Sequence, residues 1–229
     1  MKLKLFDRFK KKNVKPLIIM IHGFGKRRSA EFANLVAALK DEYDIVTPDL
    51  FDQRYSDDKI WYNWVSRAEE AIIKAKRENR EIILIGFSMG GVIASYLASK
   101  FVIKRLILLA PAFEYVTLTT ASNIVQSAIS KEKKEEEYPK IPSDFYKTFT
   151  EVVDNCKDAI FKVTCPTLFV AAYKDELIPY TVAHKYYRKM QNPHKRLAIL
   201  GDGEHRLLDN EATKDITITL IRSFIEEKF

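Results

Sequence analysis

The chain has 229 residues, of which 47% are hydrophobic, so it is long enough to bury one sizeable core in a single domain, residues 1–229. The formal net charge is +7 at pH 7, but no nucleic-acid-binding motif accompanies this charge, so nucleic-acid partners are not predicted. No apolar run approaches the roughly 20 residues that cross a bilayer. Two cysteines, Cys156 and Cys165, provide neither a disulfide framework nor metal-site spacing, and are predicted to be reduced and structural.

The first 15 residues carry seven lysines and arginines, interleaved with Leu and Phe side chains. Such a segment can dock on an anionic membrane surface or remain solvated, and the solvated interpretation is favoured because charge alone says little about function. The start lacks the pattern of a secretory signal, so a cytoplasmic location is expected. Within this segment, Lys2–Phe6 is long enough for one short extra strand. The sequence does not specify an oligomeric state.

Further along the chain, apolar runs typical of buried strands alternate with amphipathic segments of helical length. The strands are predicted at Leu17–Ile21, Tyr43–Thr47, Glu81–Ile85, Arg105–Ala110, Thr167–Ala172 and Arg196–Leu200. The helices are predicted at Ser29–Lys40, Trp64–Lys76, Val182–Met190 and Asp215–Glu227. This alternation predicts an α/β fold with a mainly parallel central sheet of about six or seven strands, flanked by helices. Right-handed crossovers place the carboxyl ends of all strands along one edge, where ligands bind.

The sequence Gly-Phe-Ser-Met-Gly at residues 86–90 follows the third strand and opens a helical segment. A G-x-S-x-G pentapeptide between a strand and a helix is the pattern of a nucleophile elbow. The pentapeptide alone is common, so the strand and helix around it carry the prediction. Gly86 and Gly90 leave room for the cramped turn, and the helix directs its free N–H groups and positive dipole end at the serine. Ser88 is therefore the candidate nucleophile.

A serine hydroxyl needs a base at neutral pH, and histidine has the pKa for that work. Of the four histidines, His205 follows the last strand through a flexible turn and lies at the expected edge of the sheet, which makes it the candidate base. His184 lies within a predicted helix and His194 precedes the last strand, so both are predicted at the surface. His22 is predicted to pack under its loop.

The base in turn needs a carboxylate that fixes its tautomer. Asp175 follows the fifth strand and is the candidate. Glu176, Asp202 and Glu204 are alternatives, although Asp202 and Glu204 are so close to His205 in sequence that reaching its ring requires a strained turn.

The first strand is followed by His-Gly-Phe-Gly at residues 22–25, a loop placed beside Ser88. Such a loop can lend a backbone N–H to an acyl oxygen. We predict that the oxyanion hole is formed by the backbone N–H groups of Phe24 and Met89.

The chain order Ser88, Asp175, His205, together with the motifs around these residues, resembles the α/β-hydrolase fold serine hydrolases, in particular carboxylesterases and monoacylglycerol lipases with a small cap. The resemblance runs from Leu17 to the last helix. It implies that Ser88 attacks a carbonyl, that His205 shuttles the proton, that Asp175 orients His205, and that water releases the acid. It implies no metal and no organic cofactor. The loop at residues 48–56 lacks the glycine-containing segment of many relatives.

After the fourth core strand, residues 113–163 interrupt the alternation and resemble the helical cap of this family. Its apolar side chains can line an acyl pocket or pack the cap on the core; they include Phe113, Tyr115, Val116, Leu118, Ile124, Val125, Ile129, Phe145, Tyr146 and Phe149. The mixed charges at residues 131–137 are predicted to be exposed.

The expected activity is therefore that of a carboxylesterase for a small-molecule substrate, an ester with a small to medium acyl group. An amidase, peptidase or thioesterase could use the same three residues. A catalytically silent binding protein on this fold, and a peripheral membrane hydrolase acting on lipid esters, are further alternatives.

Overall fold

The computed structural model describes residues 15–25, 28–114 and 141–228. Within these residues, six strands form one sheet in the order β2-β1-β3-β4-β5-β6, and every neighbouring pair is parallel. The strands are β1 (Leu17–Ile21), β2 (Asp44–Val46), β3 (Ile82–Phe87), β4 (Arg105–Leu109), β5 (Thr167–Ala172) and β6 (Lys195–Leu200). The predicted parallel sheet is confirmed. The segment Lys2–Phe6 and the basic residues 1–14 lie outside the described residues.

The helices that flank the sheet are α1 (Ala33–Leu39), α2 (Trp61–Arg77), α3 (Met89–Lys100), α4 (Phe145–Cys156), α5 (Tyr180–Lys189) and α6 (Lys214–Ile225). Two 3₁₀ helices, Arg28–Phe32 and Lys157–Lys162, precede α1 and follow α4. The predicted helix Ser29–Lys40 is therefore a 3₁₀ turn followed by a short α-helix. Within the described residues, no helix combines the length and the apolar character needed to span a bilayer.

The four inner strands, β1, β3, β4 and β5, are buried along their whole length because helices cover both faces of the sheet, whereas the edge strands β2 and β6 are partly exposed. In β1 all five residues are buried. Ile18 and Met20 pack with residues of α1 and α6, whereas Ile19 and Ile21 pack with residues of α2, α3, α4 and α5. Burying one such side chain fully is worth about 1.5–3 kcal/mol, so the two layers hold the strand ends, and the loops that follow them, in fixed positions.

The segment predicted as a cap, residues 113–163, is described at its two ends. Phe113 is fully buried and stacks on Tyr186 of α5, with ring centroids 4.5 Å apart. Phe145, at the start of α4, is also fully buried and packs against Trp64 and Phe51. These two aromatic side chains belong to the core. Residues 115–140 lie outside the described residues, and with them Tyr115, the aliphatic positions from Val116 to Ile129 and the charged residues 131–137, so the cap stays a prediction.

Both cysteines are free thiols, Cys156 being buried and Cys165 half-buried. Burial raises the pKa of Cys156 to about 12 and the pKa of Cys165 to about 11, so neither is a thiolate at neutral pH. That they are reduced and structural stays a prediction. The prediction that His184 and His194 lie at the surface is confirmed, since both side chains are exposed.

Candidate active site

Ser88 lies between the end of β3 at Phe87 and the start of α3 at Met89, as the elbow pattern predicts. Its backbone has φ 53° and ψ −119°, a conformation that side-chain-bearing residues rarely adopt. Such strain costs about 1–3 kcal/mol and persists only where the surroundings fix it. Here the Ser88 N–H donates to the Leu109 carbonyl of the neighbouring strand, at 2.9 Å. The residue is 8% exposed, at the carboxyl edge of the sheet.

Two glycines make the sharp turn possible because other backbone segments lie against them. A Cβ atom on Gly86 would lie 2.4 Å from the carbonyl oxygen of Gly90. A Cβ atom on Gly90 would lie 1.9 Å from the carbonyl oxygen of Ile21 in β1. Backbone cannot move aside as a flexible side chain can, so a side chain at either position would displace the helix from the sheet. The steric role predicted for these glycines is confirmed.

His205 follows β6 and reaches back to Ser88. The distance between its Nε2 atom and Ser88 Oγ is 3.1 Å, and the residue is 5% exposed. Its ring packs against Phe87, with centroids 5.0 Å apart. The His205 backbone N–H donates to Glu176 Oε2 at 3.2 Å. The imidazole is thereby held at its backbone, at its ring face and at Nε2, so it can accept a proton from Ser88 with little reorganisation.

Asp175 lies on the other side of the imidazole. Its Oδ2 and Oδ1 atoms are 2.9 Å and 3.1 Å from His205 Nδ1. Its side chain is 1% exposed, and Oδ1 also accepts the backbone N–H groups of Leu177, at 2.9 Å, and Ile178, at 2.7 Å. A carboxylate facing Nδ1 keeps the proton there, which leaves the Nε2 lone pair directed at the Ser88 hydroxyl.

The three other carboxylates weighed for this position lie elsewhere. Asp202 pairs with Lys174 at 2.9 Å, and its side chain is 77% exposed. Glu204 is exposed as well. Glu176 contacts the backbone of His205 rather than its ring. The structure therefore brings together Ser88, His205 and Asp175 and leaves the alternatives outside this hydrogen-bonded chain.

The protonation of His205 depends on two opposed effects. Burial alone would lower its pKa, but the charge and hydrogen bond of Asp175, with the charges of Glu176 and Glu31, raise the pKa of His205 above its ordinary value. A raised pKa favours the imidazolium. An imidazole that accepts a proton from Ser88 is therefore stabilised by its surroundings.

The loop at residues 22–25 lies against Ser88. A Cβ atom on Gly23 would be 3.1 Å from Ser88 Cβ and 3.1 Å from the Phe87 ring, so a larger residue there would require these neighbours to shift by a few tenths of an ångström. Met89, on the other side of Ser88, is the first residue of α3, and its backbone N–H has no partner within the helix. The two residues predicted to donate to an acyl oxygen, Phe24 and Met89, thus belong to the segments that flank Ser88.

His22 holds this loop in place through hydrogen bonds of its buried side chain. It is fully buried; its Nδ1–H donates to the Gly23 carbonyl at 2.7 Å, and its Nε2 accepts the Leu50 N–H at 3.0 Å. With both ring nitrogens engaged, His22 ties the loop after β1 to the loop after β2. The structural role predicted for His22 is confirmed.

Burial lowers the pKa of His22 from 6.5 to about 4, which makes stability depend on pH. Between these values the unfolded chain binds more protons at this residue than the folded chain, so stability falls as pH falls. We expect the free energy of unfolding to drop by about 2 kcal/mol more in the wild type than in His22→Gln between pH 7.5 and pH 5. Urea unfolding at the two pH values measures this difference.

His184→Gln is the matched control for that comparison, because His184 is exposed and should leave the pH dependence of the wild type in place. If His22→Gln and the wild type lost the same stability on acidification, the account of a neutral buried imidazole would be wrong.

Sequence reasoning missed two further features of the site. One is Glu31, a buried carboxylate whose Oε2 accepts the Gly23 N–H at 3.0 Å. The other is the anchoring of the loop at residues 48–60, where Arg67 forms two hydrogen bonds with Asp58, at 2.8 Å and 2.9 Å. Charged residues are normally solvated, in predicted helices such as those with Glu31 and Arg67 as in predicted loops, so no signal in the sequence pointed to either feature.

An aromatic cluster lies beside the loop at residues 22–25. Phe24 stacks on Phe149, with centroids 5.2 Å apart, and meets the edge of Tyr146 at 5.1 Å. Behind them, the fully buried Trp64 and nearly fully buried Phe51 pack against Phe24. Phe24, Tyr146 and Phe149 are only half-buried, so the cluster presents an apolar wall next to the loop that flanks Ser88.

No metal site accompanies these residues in the part of the chain that the structure describes: no group of three or more His, Cys, Asp or Glu side chains is arranged to hold an ion.

A parallel six-stranded sheet covered on both faces, with a strand-turn-helix elbow at its carboxyl edge, defines the class: an α/β protein of the hydrolase type. Comparison with protein families agrees. A family model described as "alpha/beta hydrolase fold" matches residues 16–129, and one described as "Serine aminopeptidase, S33" matches residues 126–213. The chain belongs to the α/β-hydrolase fold family. No curated protein sequence matches it significantly.

Solved structures show the same fold over nearly the whole chain. A monoacylglycerol lipase from Paleococcus ferrophilus is 12% identical, with a TM-score of 0.72 over 92% of this chain and 95% of that one. A structure from a study of LipS and LipT, two metagenome-derived lipolytic enzymes, is 16% identical, with a TM-score of 0.77 over 93% and 95%. Est1E from Butyrivibrio proteoclasticus is 20% identical, with a TM-score of 0.66 over 95% and 89%. Together with the family models, these likenesses support a hydrolase of the α/β fold.

Proposed function

We propose that this protein is a serine hydrolase, and specifically a carboxylesterase that cleaves esters with small to medium acyl groups. The observation that carries the proposal is the hydrogen-bonded chain from Ser88 through His205 to Asp175, with distances of 3.1 Å and 2.9 Å, at the carboxyl edge of the sheet. These are the distances over which a base takes a proton from a nucleophile and a carboxylate orients the base.

In the proposed reaction, His205 Nε2 takes the hydroxyl proton while Ser88 Oγ attacks the carbonyl carbon. The carbonyl oxygen becomes an oxyanion, which accepts hydrogen bonds from the backbone N–H groups of Phe24 and Met89 and lies near the positive end of α3. His205 then gives its proton to the leaving alkoxide, and an acyl-enzyme remains on Ser88. Water attacks this ester with His205 as base, and the acid leaves as Ser88 recovers its proton.

Asp175 serves both steps of this proposal without taking the proton itself. Its carboxylate keeps the His205 Nδ1–H in place and stabilises the imidazolium that forms when Ser88 is deprotonated. The backbone N–H groups of Leu177 and Ile178 hold the carboxylate in position. The rotation of the imidazole is thereby restricted before any substrate arrives.

The preference for an apolar acyl group is supported by the aromatic wall of Phe24, Tyr146 and Phe149. These half-buried rings lie beside the loop that would bind the acyl oxygen, so an apolar group on the carbonyl carbon can be removed from water against them. Phe113 and Phe145, by contrast, are buried in the core and offer no surface to a substrate. The lipolytic and esterase structures among the neighbours are in keeping with an ester substrate.

Covalent labelling with a fluorophosphonate tests the proposal directly. A deprotonated serine attacks the phosphorus and displaces fluoride, so we expect one adduct per chain by intact mass and its location on Ser88 by peptide mapping. p-Nitrophenyl esters of graded acyl length, run beside matched anilides and thioesters, measure whether esters are cleaved fastest. Folded protein without an adduct or any turnover would contradict the proposal and favour the silent binding protein. Preferred cleavage of anilides or thioesters would reassign the leaving group.

A further inference from the structure

Glu31 is a buried carboxylate that the proposed reaction does not use. It lies in the 3₁₀ helix Arg28–Phe32, which follows the loop after β1, and it is 7% exposed. Burying an ionised side chain costs free energy unless hydrogen bonds and charges compensate. A buried glutamate at this position is therefore expected to make a specific contact that an apolar residue cannot make.

That contact is with the loop at residues 22–25. Glu31 Oε2 accepts the Gly23 N–H at 3.0 Å, and a Cβ atom on Gly25 would lie only 3.1 Å from Oε1. The carboxylate thus lies against both glycines of the loop. His22 holds the carbonyl of the same glycine from the other direction. Gly23 is therefore fixed at both its N–H and its carbonyl group, directly before the peptide N–H of Phe24.

Glu31 also lies close to the two residues of the proposed proton transfer. It lines a cavity with Phe87, which precedes Ser88, and with Arg206 and Leu207, which follow His205. Its charge is one of those that raise the pKa of His205. The carboxylate is thus placed among the three segments that carry the oxyanion donor, the nucleophile and the base.

We propose that Glu31 is a positioning residue: by accepting the Gly23 N–H, it holds the loop at residues 22–25 in the conformation that presents the Phe24 N–H to the acyl oxygen. The inference rests on the proposed function above. In this role Glu31 takes no part in bond making or in proton transfer. Its effect is on the geometry of the oxyanion donor, where a displacement of about 1 Å can cost on the order of a hundredfold in rate.

Two conservative variants separate the effect of the length of the Glu31 side chain from the effect of its charge. Glu31→Gln keeps an oxygen at the same distance from the Gly23 N–H but removes the charge, whereas Glu31→Asp keeps the charge but shortens the side chain by one methylene group. We expect Glu31→Gln to retain kcat on a p-nitrophenyl ester within about fivefold at alkaline pH. We expect Glu31→Asp to lose at least about tenfold in kcat, with KM within about threefold, because the donor acts on the oxyanion of the transition state.

A trifluoromethyl ketone inhibitor gives a second measurement, which a change in stability alone does not affect. Its hemiketal oxyanion accepts hydrogen bonds from the same backbone N–H donors as the oxyanion of the reaction. Its affinity should fall in Glu31→Asp in parallel with kcat and stay near the wild-type value in Glu31→Gln. Thr167→Val is the control for destabilisation alone. Thr167 is fully buried at the amino end of β5, on the opposite edge of the sheet, where its hydroxyl donates to the Cys165 carbonyl at 2.9 Å.

The outcomes are distinguishable. Wild-type protein with neither turnover nor a fluorophosphonate adduct would overturn the proposed function itself. If the wild type is active but Glu31→Asp and Thr167→Val have the same kcat and the same inhibitor affinity, the proposed role of Glu31 is wrong, while the proposed function still stands. A larger loss of kcat in Glu31→Gln than in Glu31→Asp would also overturn it, since the charge of the side chain, rather than its length, would then determine the rate.

Discussion

Replacing Ser88 with alanine is expected to lower ester turnover by about 10⁴- to 10⁶-fold. The alanine has no atom that can attack the carbonyl, and His205 Nε2 loses the hydroxyl that lies 3.1 Å away. Any residual rate above that of water would come from the proposed oxyanion donors, the N–H groups of Phe24 and Met89, and from binding of the substrate. The fluorophosphonate adduct should disappear completely, because covalent capture needs the serine oxygen itself.

The same variant should keep its fold, so that the loss can be assigned to chemistry. Alanine has the Cβ atom of serine, so the strained backbone at φ 53° is as costly as before, and the glycine contacts around it are unchanged. The midpoint of thermal unfolding should stay within a few degrees of the wild type.

Ser95→Ala is the matched control for this loss. Ser95 is a fully buried serine of the same helix, and its hydroxyl donates to the Gly91 carbonyl at 2.8 Å. This variant loses a buried hydrogen bond, worth about 1 kcal/mol, and should keep its turnover and its adduct. Turnover that survives Ser88→Ala, or an adduct on another residue, would show that Ser88 is not the nucleophile.

The four inner strands were predictable because both faces of the sheet are covered there, which makes each of them a largely apolar run. The predicted bounds of β1 and β5 are those observed. β2 is shorter than the predicted Tyr43–Thr47, since it lies at the edge and pairs with β1 at only three positions. An edge strand has fewer hydrogen bonds to fix its ends, and apolar character alone does not reveal where the pairing stops.

The positions of Ser88, His205 and Asp175 were predictable because each follows the end of a parallel strand. Topology alone places such residues at one edge of the sheet, whatever the details of packing. Which carboxylate faces the imidazole was harder to decide, since Asp175 and Glu176 are adjacent in one loop. Their different contacts with His205, one to the ring and the other to the backbone, depend on the turn that binds Asp175 to the Leu177 and Ile178 N–H groups.

The burial of Glu31 and the aromatic cluster could not be predicted, because both depend on contacts between distant loops. Glu31 is in a segment whose pattern indicates one amphipathic helix, and a pattern over five residues does not distinguish a 3₁₀ turn from an α-helix. Phe145 and Phe113 belong to a segment that resembles a cap, yet they pack into the core against Trp64 and Tyr186. Apolar character indicates that a residue is buried, but it does not identify the residues it packs against.

Asp175→Asn is expected to lower kcat by about 10⁴-fold through the tautomer of His205. Asp175 Oδ1 accepts two backbone N–H groups, at 2.9 Å and 2.7 Å, and an amide must keep its oxygen on that side to satisfy them. Its NH₂ group then faces His205 Nδ1, which must become an acceptor. The proton moves to Nε2, and that nitrogen can no longer take the proton of Ser88.

The pH profile of the same variant gives a second, independent result. In the wild type the pKa of His205 is raised, so turnover should be lost as pH falls through a value above the ordinary histidine pKa of about 6.5. Without the Asp175 charge, burial lowers the pKa of His205, and the acid limb of the residual activity should move to lower pH.

The control for both results is Asp202→Asn, which removes an exposed carboxylate paired with Lys174 and should change kcat by less than about threefold. Both variants keep the size of the side chain, so a difference between them reports position rather than volume. If Asp202→Asn were the damaging change and Asp175→Asn the mild one, the orienting carboxylate would be Asp202, and the loop after β6 would have to rearrange in solution to bring it to the imidazole. An acid limb that stayed in place in Asp175→Asn would show that the Asp175 charge does not act on the group that titrates.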